Sequence, residues 1–146
     1  MEYDISYSDE ENPTNFSRSD ITDFLYEHLD EFGDSKDAIR TCIAFAYGDK
    51  EGQDGFILIA HDDDVITGAV IMNHTNMSLY IPEHFLVYIA VNKDYRRQGI
   101  GKTMMEKIAE NTEGDIALHV EPDNPARKLY EKMGFTNKYL EMRLAK

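Results

Sequence analysis

The chain has 146 residues, with 28 acidic against 15 basic side chains and a formal net charge of -13 at pH 7, which disfavours a broad binding surface for nucleic acid or anionic lipid. That length fits one domain over 1–146 with a full core. Met1-Glu2-Tyr3-Asp4 lacks the pattern of a secretory signal and no apolar run is long enough to span a bilayer, so a cytoplasmic, non-membrane protein is expected; the one cysteine, Cys42, excludes an internal disulfide.

In chain order, Tyr3 to Ser8 alternates like a short first strand, and a polar connection with Pro13 follows. Ser19 or Asp20 can cap a helix whose apolar residues Ile21, Phe24, Leu25, Leu29 and Phe32 recur at helical spacing up to Gly33. A second helix is predicted from about Lys36 to Ala46, with Cys42 beside Ile39, Ile43 and Ala46 as a buried thiol. Phe56 to Ala60 and Val65 to Met72 read as strands joined by a hairpin loop, His61-Asp62-Asp63-Asp64. The three aspartates lack the remainder of a D-x-[DN]-x-[DN]-G calcium loop, so they read as a solvated turn, and no metal is expected.

After a connection over 73–82, Phe85 to Val91 is a nearly continuous apolar run of the kind found in the middle of a sheet. The next helix carries Ile100, Met104, Met105 and Ile108 on one face and ends by Gly114. Ile116 to Val120 is predicted as an interior strand. Ala126, Leu129, Tyr130 and Met133 mark a short helix closed by Gly134, and Tyr139 to Leu144 is predicted as the last strand.

Chemistry concentrates at Arg96-Arg97-Gln98-Gly99-Ile100-Gly101, between the strand at 85–91 and the following helix. Glycines at 99 and 101 remove Cβ atoms that would hold a ligand off the backbone, so successive N–H groups can point at phosphate oxygens; the helix start adds its positive end, and Arg96, Arg97 and Lys102 add charge. A P-loop needs a glycine where Arg96 stands, and a dinucleotide fingerprint needs a third glycine and an early position in the chain; neither is met. What remains is [QR]-x-x-G-x-[GA]. Further on, Asn124, Ala126, Leu129-Tyr130 and Gly134-Phe135 stand in order. On these two segments the chain resembles the GCN5-related N-acetyltransferase (GNAT) family, well over about residues 56 to 144 and by topology alone before that.

The resemblance implies an α+β fold, a three-layer α/β/α arrangement whose mixed, mostly antiparallel sheet is splayed around an acetyl-CoA cleft. It implies an N-acetyltransferase that carries an acetyl group from acetyl-CoA to a primary amine by direct attack, without a metal. The pantetheine arm is expected to pair with the backbone of Ile89, Ala90 and Val91, and one N–H, that of Ile89 above all, to face the thioester carbonyl. The pyrophosphate is expected on Arg96, Arg97, Gln98, Gly99, Ile100, Gly101 and Lys102. Tyr130 is expected to donate to the departing sulfur, and Asn124, or Asp123 in its place, to touch the pantetheine.

A general base is harder to place. An alkylamine of pKa near 10.4 is about 0.04% neutral at pH 7, so losing its proton costs roughly 4.6 kcal/mol. Where the family often has a glutamate, this chain has Phe85. Glu83 is the candidate carboxylate, His84 stands beside it, Tyr88 lies within the strand, His119 sits on the opposing strand, and proton loss through water is the alternative. Acceptor choice is expected to rest on the first two helices and on residues 73–84. The other readings are a non-catalytic acyl-CoA-binding regulatory module and transfer of a larger acyl group. A homodimer is compatible with a fold of this kind.

Overall fold

The computed structural model describes all 146 residues. Five strands, β1 (Glu2–Ser6), β2 (Gly55–Asp62), β3 (Val65–His74), β4 (His84–Val91) and β5 (Ile116–Leu118), form one sheet in the order β1-β2-β3-β4-β5. The first four run antiparallel to their neighbours, and β5 lies parallel to β4. Helices α1 (Arg18–His28) and α2 (Lys36–Ala46) precede β2, α3 (Ile100–Glu110) connects β4 to β5, and α4 (Arg127–Lys132) follows β5. No helix is long and apolar enough to cross a membrane.

Local chemistry explains where the helices start. Ser17 begins α1 with a reciprocal cap: its side chain accepts the Asp20 N–H, and its own N–H donates to the Asp20 carboxylate at 2.8 Å. The cap therefore falls two or three residues before the expected Ser19 or Asp20, because Ser17 and Asp20 have the three-residue spacing that a reciprocal cap needs. Helix α1 ends at His28, and the apolar positions Leu29 and Phe32 continue through a single 3-10 turn instead. Ser35 caps α2 by accepting from the Ala38 N–H.

Each face of the sheet has its own core. On one, α1 and α2 cover Ile57, Ile59, Ala69, Ile71, Tyr88 and Ala90, with Cys42 buried among them as expected. On the other, α3 and α4 cover Leu58, Ala60, Val70, Met72 and Leu86. Successive residues of β2 and β3 alternate between these cores, which is why both strands are apolar throughout, and each fully buried side chain such as Ile57 or Leu58 contributes about 1.5–3 kcal/mol.

Two predicted strands come out shorter or absent. Only Ile116–Leu118 of the expected 116–120 strand pairs with β4. The expected strand Tyr139 to Leu144 does not form: these residues have no regular structure, and Tyr139, Leu140, Met142 and Leu144 are exposed. Their alternation supplies a face to bury, but the three-residue β5 offers few ladder bonds against about 1–2 kcal/mol of backbone entropy for each residue ordered.

Met104 anchors α3 to the sheet. It is fully buried, and its thioether packs so closely over Gly68 that a Cβ there would lie 2.8 Å from Sδ. Met104→Ala is expected to lower the free energy of unfolding by about 2–5 kcal/mol, read as a lower urea midpoint at unchanged slope.

Candidate active site

The opening in the molecule follows from how β4 is built. Its pairing with β3 slips between Ile71 and Met72: Tyr88 lies opposite Ile71 and Leu86 opposite Met72, which leaves Val87 as an extra residue, a β-bulge. The bulge changes the phase of the strand. Leu86 packs into the α3 core, Val87 and Tyr88 both face α1 and α2, and Ile89 returns to the α3 side. Strand β5 accompanies β4 only as far as Leu86, which pairs with Leu118, so from the bulge onward the far edge of β4 has no neighbouring strand.

The groups on that free edge can be identified. The Asn92 N–H donates to the Thr67 carbonyl at 2.8 Å, toward β3. By alternation Ala90 also faces β3, and the N–H and C=O groups of Ile89 and Val91 face the open side. Arg96 agrees with this assignment, since its Nε donates to the Val91 carbonyl at 3.3 Å from outside the sheet. Of the expected pantetheine contacts, then, Ile89 and Val91 present backbone to the opening, and Ala90 turns its backbone to β3 and its side chain to the α1 and α2 core.

The glycine loop expected to take the pyrophosphate lies at the end of this edge. Arg97 and Gly99 both have left-handed backbone, with φ of 64° and 80°. Unlike α1 and α2, helix α3 starts without a side-chain cap: Gly99 is its N-cap, and the first bond, from the Thr103 N–H to the Gly99 carbonyl, leaves the N–H groups of Ile100, Gly101 and Lys102 for an outside acceptor. Nothing lies within 4 Å of where a Gly99 Cβ would stand, whereas a Gly101 Cβ would touch Leu129 at 3.4 Å and Val91 at 3.7 Å. Both are ordinary van der Waals contacts, where the end of β4, the start of α3 and helix α4 meet.

Of the loop's cations, Arg96 is tied down. Besides Val91, its Nη2 donates to the His28 carbonyl at 3.1 Å and reaches Asp30 at 3.5 Å. Lys102 faces Glu106 at 4.0 Å, and Arg97 and Gln98 are exposed. Arg96 thus braces the loop against the end of α1, a role that the sequence did not disclose.

Tyr130 lies on α4 beside Leu129 and is 6% exposed, its ring 6.0 Å from that of Phe135. Burial alone pushes its phenol up to about 12, so it is a hydrogen-bond donor at neutral pH. Asn124 uses its side-chain oxygen to accept the Ala126 N–H at 2.9 Å, which leaves its amide hydrogens free; Asp123 is exposed.

Glu83 is not brought to the opening. Its carboxylate accepts the Asp115 N–H at 3.2 Å, at the closed end of the β4 and β5 pair, and at about 3.3 Å per residue it lies some 20 Å along the strand from Ile89. In this structure the Glu83 side chain serves the turn before β5. His119 packs edge-on against Phe85, with ring centroids 4.8 Å apart.

His28 links the opening to α1. Its Nδ1 accepts the Lys93 N–H at 3.2 Å, which requires that nitrogen to be unprotonated. Burial, aided by Lys93 and Arg96 and opposed by Glu27 and Asp30, lowers its pKa below the usual histidine range. The unfolded chain therefore binds a proton more readily than the folded one. Stability that His28 leaves intact above about pH 6.5 is lost as pH falls through the depressed folded value. His28→Gln, which keeps an acceptor but cannot titrate, is expected to show a smaller fall in thermal midpoint than the native chain between pH 7 and 5.

Known proteins share this arrangement. Residues 53–137 match the family model described as the acetyltransferase (GNAT) domain. Over 60 residues, 40% of this chain, the sequence is 37% identical to the cysteine-rich protein 2-binding protein of Mus musculus and to that of Homo sapiens; the chain spans about 8% of the length of those relatives. The fold is similar to that of the ribosomal-protein-alanine N-acetyltransferase from Brucella melitensis biovar Abortus, with a TM-score of 0.66 and 16% identity over 99% of both chains. An aminoglycoside N-acetyltransferase solved in complex with CoA is similar over 62% of this chain and 75% of its own, with a TM-score of 0.52 and 19% identity. At such identities the solved structures speak for the fold, and the family model covers more than half of the sequence: the chain belongs to the GNAT acetyltransferase family.

Proposed function

We propose that this chain, as a single acetyltransferase domain, uses acetyl-CoA to acetylate the nitrogen of a primary amine by direct attack within a ternary complex. The observation that carries the reading is the free edge of β4 leading to an uncapped helix start: two outward backbone groups, at Ile89 and Val91, followed by the open N–H groups of Ile100, Gly101 and Lys102. A strand-like arm ending in a pyrophosphate fits that sequence of donors and acceptors. Coenzyme A has such an arm, and its acetyl thioester supplies an activated acyl group. The aminoglycoside enzyme solved with CoA adds support from a fold of the same kind.

Each residue then has a defined task. Ile89 directs its N–H at the thioester oxygen, where negative charge develops as the amine attacks. Tyr130 directs its hydroxyl at the departing sulfur. A phenol near 12 is a weaker acid than a thiol near 8.5, so complete proton transfer to the sulfur would run about 5 kcal/mol uphill; Tyr130 therefore acts by hydrogen bonding, and the proton released by the amine neutralises the thiolate. Gly99 keeps the pyrophosphate side open, and Arg97 and Lys102 supply charge there. With no carboxylate beside Ile89, the amine loses its proton through water.

Release of free thiol from acetyl-CoA in the presence of a primary-amine panel tests the reading, and tight CoA binding with no turnover would favour the regulatory module instead. Tyr130→Phe is expected to lower kcat about a hundredfold with unchanged acetyl-CoA affinity, measured by steady-state kinetics and calorimetry. Gly99→Glu is expected to weaken acetyl-CoA binding more than tenfold while stability falls by only about 1–2 kcal/mol, the cost of a side chain in left-handed backbone.

A further inference from the structure

The connection from β4 to the glycine loop is pinned to other elements along its length. At its start the Asn92 N–H donates to the Thr67 carbonyl at 2.8 Å, and the Asn92 Nδ2 donates to the Ile66 carbonyl at 3.1 Å. A 3-10 turn, Lys93–Tyr95, follows. The next two anchors both belong to His28: its Nδ1 accepts the Lys93 N–H at 3.2 Å, and its carbonyl accepts from Arg96 Nη2 at 3.1 Å. One residue of α1 therefore holds the connection at the first residue of that turn and again just past its last.

The first N–H groups of a helical turn have no partner within it, so the Lys93 N–H needs an acceptor from outside. His28 supplies one while only 9% exposed, with its ring 4.7 Å from that of Phe24. The acceptor exists only in the neutral ring that carries its proton on Nε2, the nitrogen 3.7 Å from Glu27. Burial keeps the ring neutral, with the help of Lys93 and Arg96 and against Glu27 and Asp30, the four charged groups that act on it. A proton on Nδ1 would set two N–H groups against each other. It would also put a third cation beside Lys93 and Arg96, which already share Asp30 at 2.6 and 3.5 Å.

We propose that His28 is a positioning residue for the cofactor: its neutral imidazole holds the Lys93 N–H and so keeps the glycine loop set for the pyrophosphate, and protonation of His28 and binding of acetyl-CoA therefore oppose one another. This deepens, and rests on, the acetyl-transfer reading above. The loop's open N–H groups at Ile100, Gly101 and Lys102 follow directly on the pinned residues 92–96, so a shift of that connection moves them. A protonated ring also gains a charge that attracts phosphate. That attraction crosses the exposed residues 97–99, where solvent and salt screen it, whereas the lost hydrogen bond acts at contact. Linkage is reciprocal: a proton that weakens cofactor binding is itself bound more weakly once the cofactor is in place.

The test measures acetyl-CoA affinity by calorimetry from pH 7.5 to 5.5 on the native chain, His28→Gln and His28→Phe. Gln keeps an acceptor that does not titrate, and Phe keeps the packing on Phe24 without an acceptor. The backbone carbonyl that holds Arg96 is present in all three. At pH 7.5 His28→Gln should bind within about twofold of the native chain, and His28→Phe about fivefold more weakly or worse. Toward pH 5.5 the native Kd should rise about threefold more than that of His28→Gln, whose profile reports the titration of the ligand's own phosphates. By NMR the His28 ring should titrate at lower pH with acetyl-CoA bound. Parallel pH profiles for the native chain and His28→Gln, native affinity in a folded His28→Phe, or a ring titration that acetyl-CoA leaves in place or moves to higher pH overturns the proposal. The first and third of these measurements decide it even where His28→Phe does not fold. Failure of the native chain to bind acetyl-CoA at pH 7.5 overturns the acetyl-transfer reading beneath it.

Discussion

The site depends on one irregularity, the unmatched Val87 in the ladder between β3 and β4. A regular strand would have kept one set of side chains on each face and run beside β5 for its full length. The extra residue bends β4 and raises its local twist, so that β5 follows it only through Leu86. Backbone groups of Ile89 and Val91 are thereby left without a sheet partner; Arg96 takes the Val91 carbonyl, and the others are open to water or a ligand. The same phase change puts Tyr88 on the opposite face. One inserted residue thus sets both the open edge of β4 and the face that Tyr88 occupies.

The second condition is a firm mounting for the loop after β4. Arg96 joins the end of that strand to the last turn of α1, and His28 accepts an N–H from the segment between. A guanidinium on the carbonyl end of a helix is well placed electrostatically. The loop is thus braced from one side by α1, and Leu129 packs beside Gly101 on the other.

Most of the architecture was legible in the chain itself. The helical spacing of Ile21, Phe24 and Leu25 and of Ile100, Met104 and Ile108, and the apolar runs at 56–60, 65–72 and 85–91, all correspond to helices and strands, with Val65 exposed at the hairpin and alternate residues of β4 half-buried. The glycine at 99 marked the uncapped helix start for a local reason: positive φ restricts which residues fit. Three things were hidden because they depend on partners distant in sequence. The bulge at Val87 exists only through pairing with β3, and the bracing role of Arg96 needs α1 beside the loop. The third is the hydrogen bond from the Asp115 N–H to Glu83, which joins residues far apart in the chain. Tyr139 to Leu144 failed for the converse reason, as its alternation was plain and its pairing partner was missing.

The strand order also bears on how the chain reaches this state. Strands β2, β3 and β4 are consecutive in sequence and adjacent in space, joined by turns that are cheap in loop-closure entropy. The parallel contact of β4 with β5 must wait for the whole excursion from Asn92 to Asp115, including α3, to close upon itself. The central meander therefore closes over shorter stretches of chain than the pairing of β4 with β5. The half that carries the glycine loop thus closes over a longer stretch of chain than the meander does, and over a shorter one than β1, whose Glu2 pairs with His61.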